Sequence, residues 1–254
     1  MKKIGIAVIA TNAYFALGVK FMKQFTFFNL GHDKVTFYFF SDTDPAPYLP
    51  DDPRLNVKHI EEHHKQWTDG TNSKFKNIVT MKNEDLDYIY YFDADTSVSR
   101  PFTTDWFIGE LVGGEHFGNR TWMKDNKPFD RNPKSKSYVP YDTPLKQMYY
   151  YGAFFGGKKD KLINFCKILR EWQLKDKEIP YEPGVNDESY INAYFHYNPP
   201  FTVETEEFVF NVSDKSGVGE TRDPHLSIEN IKKDLLENKN NRIDIKYGKV
   251  ERIT

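Results

Sequence analysis

The chain has 254 residues, a net charge of −2, 16 % aromatic residues and a single cysteine. A balance this close to neutral excludes a global field that would gather nucleic acid or an anionic membrane surface. The lone Cys166 excludes an internal disulfide or a multi-cysteine metal site and fits a reducing compartment, while the length suffices for one large α/β core.

Met1-Lys2-Lys3 leads straight into an apolar run, so no signal peptide is expected. No stretch is long and apolar enough to span a bilayer. Residues 4–10 predict a first buried strand, followed by the polar turn Thr11-Asn12-Ala13-Tyr14 and a helix carrying Phe15, Val19, Phe21, Met22 and Phe25. Such a βα opening starts many nucleotide-binding halves, but G-x-G-x-x-G is absent, which argues against a dinucleotide site. Residues 35–40 and 56–60 predict two more strands. His59, His63 and His64 stand beside Glu61 and Glu62 and read as a solvated charged face. Residues 67–82 predict a helix bearing Lys74, either a surface charge or a cation near the acidic motif that follows.

That motif is Tyr88-Ile89-Tyr90-Tyr91-Phe92-Asp93-Ala94-Asp95. Unbroken apolar residues predict a central parallel strand buried on both faces. Ligands in open α/β sheets sit beyond the carboxyl ends of such strands. Alternate side chains of an extended backbone point the same way, so both acids would face one point, as a hard divalent cation gripping a diphosphate requires. A solvated turn holding two acids is the plain alternative.

Residues 102–112 predict a short helix, and 113–141 a long polar loop. Residues 149–157 predict a strand in which Gly and Ala mark close approaches. The next helix places Cys166 in the core. Asn186-Asp187-Glu188-Ser189 opens another, where the acids could simply complement the helix dipole. From Pro199 the chain reads as charged and poor in strands.

These landmarks resemble the family 6 retaining glycosyltransferases. The likeness is carried by Val8-Ile9-Ala10-Thr11 through Tyr14, Trp67-x-Asp69 with Lys74-Phe75, Phe92-Asp93-Ala94-Asp95, Ser135-x-Ser137-Tyr138-Val139-Pro140, Tyr149 through Gly157, and Asp187-Glu188-Ser189 through Tyr194. It implies a glycosyltransferase-A type α/β fold, a mixed, mostly parallel sheet flanked by helices. One nucleotide-sugar-binding domain would span 1–254, with 243–254 a mobile tail closing over the donor. It implies transfer of galactose or N-acetylgalactosamine from a UDP-sugar to a glycan with a terminal galactose-type sugar, in α1,3 linkage, with Mn²⁺ or another divalent cation. By position, Ile9, Thr11 and Tyr14 would hold uridine, and Asp93 and Asp95 the metal and donor. Tyr151, Gly152, Ala153 and Asp187 would face the donor sugar, with Tyr151 and Ala153 at the donor-selecting positions. Lys74 replaces the usual Arg near the donor. Glu188 matches the carboxylate that acts as nucleophile or cation stabiliser, and Lys246 and Arg252 would close on the diphosphate. His116 and Trp67 would face the acceptor. The family's Trp-His before the Asp-Glu is Val185-Asn186 here, which removes an acceptor-stacking ring. An inverting transferase and a non-catalytic sugar-nucleotide or glycan-binding protein are the alternatives. The location implied is the cytoplasm of a bacterial or phage-infected cell.

Overall fold

The computed structural model describes residues 1–98, 100–120, 123, 126–141, 148–204, 209–211, 233, 236, 237 and 239. Its strands in chain order are β1 (Lys3–Ile9), β2 (Lys34–Ser41), β3 (Asn56–Glu61), β4 (Tyr88–Phe92), β5 (Thr96–Val98), β6 (Leu111–Glu115), β7 (Tyr150–Lys158), β8 (Phe201–Glu204) and β9 (Val209–Asn211). Among the described residues, four α-helices pack around them: α1 (Tyr14–Phe28), α2 (Trp67–Thr80), α3 (Lys159–Asp176) and α4 (Asn186–Tyr197). One seven-stranded sheet runs β3-β2-β1-β4-β7-β6-β8, and β5 and β9 pair separately.

Alternation along the strands divides the core into two layers. Ile4, Ile6 and Val8 of β1 and Tyr90 and Phe92 of β4 pack with Phe21 and Phe25 of α1. Ala7, Ile9, Ile89 and Tyr91 turn to the other face, against Phe75 and Ile78 of α2, Phe165 and Cys166 of α3 and Ile191 of α4. Burying one such aromatic or aliphatic side chain stabilises by about 1.5–3 kcal/mol. Among the described residues, no helix is long and apolar enough to cross a membrane.

β4 is central and buried on both faces, as its composition predicts, but it pairs in parallel only with β1; β7 runs antiparallel to it. That reversal matters for the site. An antiparallel strand starts where its neighbour ends, so residues 151–153 lie beside the carboxyl end of β4. Phe92 pairs with Phe154, and the Asp93 N–H donates to the Ala153 carbonyl at 3.0 Å.

One expectation fails. Residues 102–112 do not form a helix: a single 3-10 turn, Thr104–Phe107, is followed by β6. β6 also takes in the start of the loop expected over 113–141, and Gly113 is what lets it pair. A side chain there would lie 2.7 Å from the Tyr150 ring and 3.0 Å from Phe195. The segment after Pro199, expected to be poor in strands, supplies two short ones among the described residues. β8 closes the sheet edge against β6, and β9 pairs with β5 immediately beyond Asp95.

Candidate functional site

A cavity of about 770 Å³ opens at the carboxyl ends of β1 and β4. Ile9, Thr11 and Tyr14 line one wall, at the turn from β1 into α1. Asn12 in that turn has φ 55°, a left-handed backbone uncommon for a residue with a side chain, and Asn186 at the opposite wall has φ 42°. They are the only non-glycine residues with positive φ among those described, and both line the cavity. Backbone strain of this kind collects at functional sites.

Asp93 and Asp95 enter from β4, though not by strand alternation as expected. The Thr96 N–H donates to the Asp93 carbonyl at 3.0 Å, closing a turn over 93–96 that carries both acids to the cavity. The Asp93 side chain keeps 29 % of its exposure, and both its side-chain partners hold Oδ1: the Tyr91 hydroxyl donates at 2.6 Å and Lys74 Nζ lies at 3.0 Å. Among the described residues, no cluster of three or more His, Cys, Asp or Glu could cage a metal. Two hard carboxylates opening onto a large cavity suit instead a divalent ion that completes its shell with substrate phosphate oxygens.

Lys74 decides between its two readings: it is not on the surface. Only 5 % exposed, its ammonium reaches Asp93 Oδ1 at 3.0 Å, Asp187 Oδ2 at 2.9 Å and the Gly152 carbonyl at 3.1 Å, and it sits 4.9 Å from the Tyr91 ring centre. Burial opposes its charge, but Asp187 and Asp93 outweigh that and hold its pKa above the ordinary value.

Asp187 and Glu188 open α4. Burial lifts the Asp187 pKa to about 6, with the nearby Asp93 charge adding and Lys74 opposing. Burial lifts Glu188 to about 7, and the charge on Asp187 adds to that, while the Gly152 N–H donates to Glu188 Oε2 at 2.6 Å and opposes it. Two buried acids with raised pKa values at one helix start mark a candidate reactive site. Gly152 is required between them: a Cβ there would lie 2.9 Å from Asp187 Oδ2 and 3.3 Å from Glu188 Cβ.

Tyr151 and Ala153 line the same cavity. The Tyr151 ring stacks on His116 at 4.0 Å. His116 accepts from the Gly118 N–H through Nδ1 at 2.9 Å, and burial lowers its pKa to about 4, so it is neutral near pH 7. The Trp67-x-Asp69 motif has a local reason: Asp69 Oδ2 accepts from the N–H groups of Lys65 (3.0 Å) and Gln66 (3.2 Å), capping α2 and fixing where Lys74 falls. Trp67 begins α2, but its side chain lies outside the described residues, as do Lys246 and Arg252.

The Ser135-x-Ser137 motif is structural. Ser135 donates to Asp176 Oδ2 at 2.6 Å, Ser137 donates to Asp130, and Tyr181 and Tyr190 donate to Asp130 (2.6 Å) and Asp176 (3.1 Å). This buried network anchors the segment that leads into Val185 and Glu188. Sequence reasoning missed His64. It is not part of a solvated face: its side chain is 5 % exposed and bonded to Thr11 at 3.1 Å. The signal was its distance of three residues from Trp67, which folds it under the start of α2 while His63 stays outside.

Comparison with known proteins adds to this geometry. The family described as Glycosyltransferase family 6 matches residues 1–229. The chain is 27 % identical to histo-blood group ABO system transferase 1 of Rattus norvegicus, over 82 % of this chain and 61 % of the relative. It is 24 % identical to globoside alpha-1,3-N-acetylgalactosaminyltransferase 1 of Gallus gallus, over 82 % and 62 %. It is 29 % identical to O-antigen biosynthesis glycosyltransferase WbnI of Escherichia coli, over 65 % of this chain and 69 % of the relative. The chain thus spans about three-fifths of the length of the animal relatives it matches.

Proposed function

Since the chain belongs to glycosyltransferase family 6, we propose that it moves galactose or N-acetylgalactosamine from a UDP-sugar to a hydroxyl of a glycan acceptor, in α1,3 linkage and with retention at the anomeric carbon. The observation that carries this reading is the chain Asp93–Lys74–Asp187 beside Glu188, all in one cavity at the carboxyl end of the central strand. The mixed, mostly parallel sheet flanked by helices is of the glycosyltransferase-A type.

Asp93 and Asp95 would hold Mn²⁺, which when bound supplies a Lewis acid for the departing diphosphate. Lys74 fixes the orientation of Asp93 and Asp187 against each other, so the donor meets a preorganised set of charges. Ile9, Thr11 and Tyr14 bind the nucleoside. Tyr151, braced flat on His116, and Ala153 border the sugar, where the Ala methyl crowds an N-acetyl group. Lys246 and Arg252, through the resemblance alone, would pair with the diphosphate.

Glu188 is the reacting carboxylate. As a nucleophile it bonds to the anomeric carbon while the carbon–oxygen bond to UDP breaks, its electron pair leaving with the diphosphate. The acceptor hydroxyl then displaces Glu188, restoring the configuration, and its proton passes to the departed diphosphate. As an electrostatic partner it stabilises the same cationic carbon without bonding. One observation favours a second reading: a carboxylate lifted to about 7 is also poised as a general base for an inverting transfer. The test is a screen of UDP-sugars for Mn²⁺-dependent UDP release with lactose-type acceptors, followed by the product anomer. UDP release with an α product supports the proposal. A β product selects the inverting route, and no release from any UDP-sugar overturns transfer altogether.

A further inference from the structure

We propose that Tyr91 is a positioning residue that governs which cation the cavity prefers: it leaves Asp93 one carboxylate oxygen to offer, which favours a compact octahedral ion such as Mn²⁺ over Ca²⁺. The inference rests on the metal-dependent reading above and concerns a side chain read from the sequence only as part of a buried strand.

Tyr91 stands two residues before Asp93. The Asp93 N–H still bonds to the Ala153 carbonyl of β7 at 3.0 Å, so the extended backbone continues that far and the two side chains leave it on one face, toward α2. The Tyr91 ring is fixed there. It is 2 % exposed, stacked on Phe155 with centroids 5.2 Å apart, and Lys74 Nζ lies 4.9 Å from its centre. A ring held on two sides aims its hydroxyl with little freedom. That hydroxyl donates to Asp93 Oδ1 at 2.6 Å, within the short range of bonds to a carboxylate.

Counting lone pairs shows what Asp93 has left. A carboxylate oxygen offers about two acceptor sites. Oδ1 meets both the Tyr91 hydroxyl and the Lys74 ammonium, the latter at 3.0 Å. The main-chain carbonyl accepts from the Thr96 N–H. Among the described residues, Oδ2 has no protein partner, and the side chain keeps 29 % of its exposure at the cavity. An octahedral Mn²⁺ or Mg²⁺ is served by a carboxylate that gives one oxygen. Ca²⁺ builds a larger, looser shell and often takes both oxygens of a carboxylate. Lys74 alone would hold Oδ1 weakly, because its ammonium is shared with Asp187 at 2.9 Å and the Gly152 carbonyl at 3.1 Å. The Tyr91 hydroxyl is spent on Asp93 and is what keeps Oδ1 turned away.

The test is titration of the full chain with Mn²⁺ in the presence of UDP, followed by the paramagnetic resonance of the free ion, with Ca²⁺ affinity read by competition. Tyr91→Phe keeps the ring and removes only the hydroxyl. Phe155→Leu loosens the packing beside that ring without touching Asp93, and thermal unfolding is recorded for every protein. The wild type should hold Mn²⁺ more tightly than Ca²⁺ by about tenfold or more. Tyr91→Phe should weaken Mn²⁺ by about tenfold, the usual cost of losing a partner of a ligating carboxylate, and change Ca²⁺ by less than about threefold. Phe155→Leu should unfold at a lower temperature and keep the wild-type ratio of affinities. A Tyr91→Phe variant with the wild-type ratio, whether both affinities stay or both fall together, overturns the role of Tyr91 and leaves the metal reading intact. So does a wild type that binds both ions equally. A wild type that binds neither ion with UDP present overturns the metal reading itself, and this inference with it.

Discussion

Asp93 and Asp95 close a strand; Asp187 and Glu188 open a helix. The residue types are nearly the same, and Lys74 ties one pair to the other with ion pairs of 3.0 and 2.9 Å. Their surroundings separate them. The first pair rides a turn, and Asp93 remains partly exposed. The second is packed behind Gly152, where burial lifts Asp187 to about 6 and Glu188 to about 7. In the proposed reading, position on the fold, not residue identity, would make one pair a clamp for metal and donor and the other the reacting centre.

The sharpest way to break this comparison is to remove its link. Lys74→Met leaves the buried Asp187 without its counter-charge, and unfolding free energy should fall by about 3–5 kcal/mol in chemical denaturation. Adding Asp187→Asn to the same variant should recover more than half of the loss. Equal stabilities for wild type and Lys74→Met would mean that the two pairs are independent.

A smaller effect sharpens the role of the first pair. Asp95→Asn should weaken Mn²⁺-dependent UDP binding by on the order of tenfold or more, because ligand charge sets the affinity of such sites. Binding of UDP in EDTA should already be weak in the wild type, so the variant should change it little. Full transfer activity in EDTA would remove the metal from the account.

The smallest effect is the most diagnostic of environment. Folded-state pKa values raised above ordinary ones mean that the folded protein binds more protons than the unfolded chain between about pH 4 and 7. Stability from these acids is therefore full below pH 4 and lost as pH rises through 6 and 7. Turnover that needs ionised Glu188 rises over the same interval. The Glu188→Gln variant should unfold at a higher temperature than wild type at pH 8 and lose most of that advantage at pH 5. A parallel shift at both values would contradict the burial argument.

Much of this site was legible in the sequence because its carriers are local patterns. The apolar run ending at Asp93, the Gly152-Ala153 interruption and the Asp187-Glu188 helix start each predict a position at the rim of a sheet. All three meet in the cavity, with Thr11, Tyr14 and His116. What stayed hidden depends on long-range pairing. β7 runs antiparallel, which no local pattern reveals, and this alone brings residue 152 to residue 188. The turn that points both Asp93 and Asp95 into the cavity was mistaken for strand alternation. β6 straddles the helix expected over 102–112 and the loop expected over 113–141, and only the packing of Tyr150 over Gly113 accounts for a strand there. His64 and His63 are neighbours in sequence, and only the capped start of α2 buries one and leaves the other outside.

The division of labour is tested most directly by turnover of Glu188→Gln alongside its affinity for UDP with Mn²⁺. The account predicts a kcat lower by at least about a hundredfold, with UDP bound nearly as tightly as by the wild type. Near-normal turnover would return Glu188 to a helix-opening acid. A comparable collapse of UDP binding would show that the two acid pairs share one task.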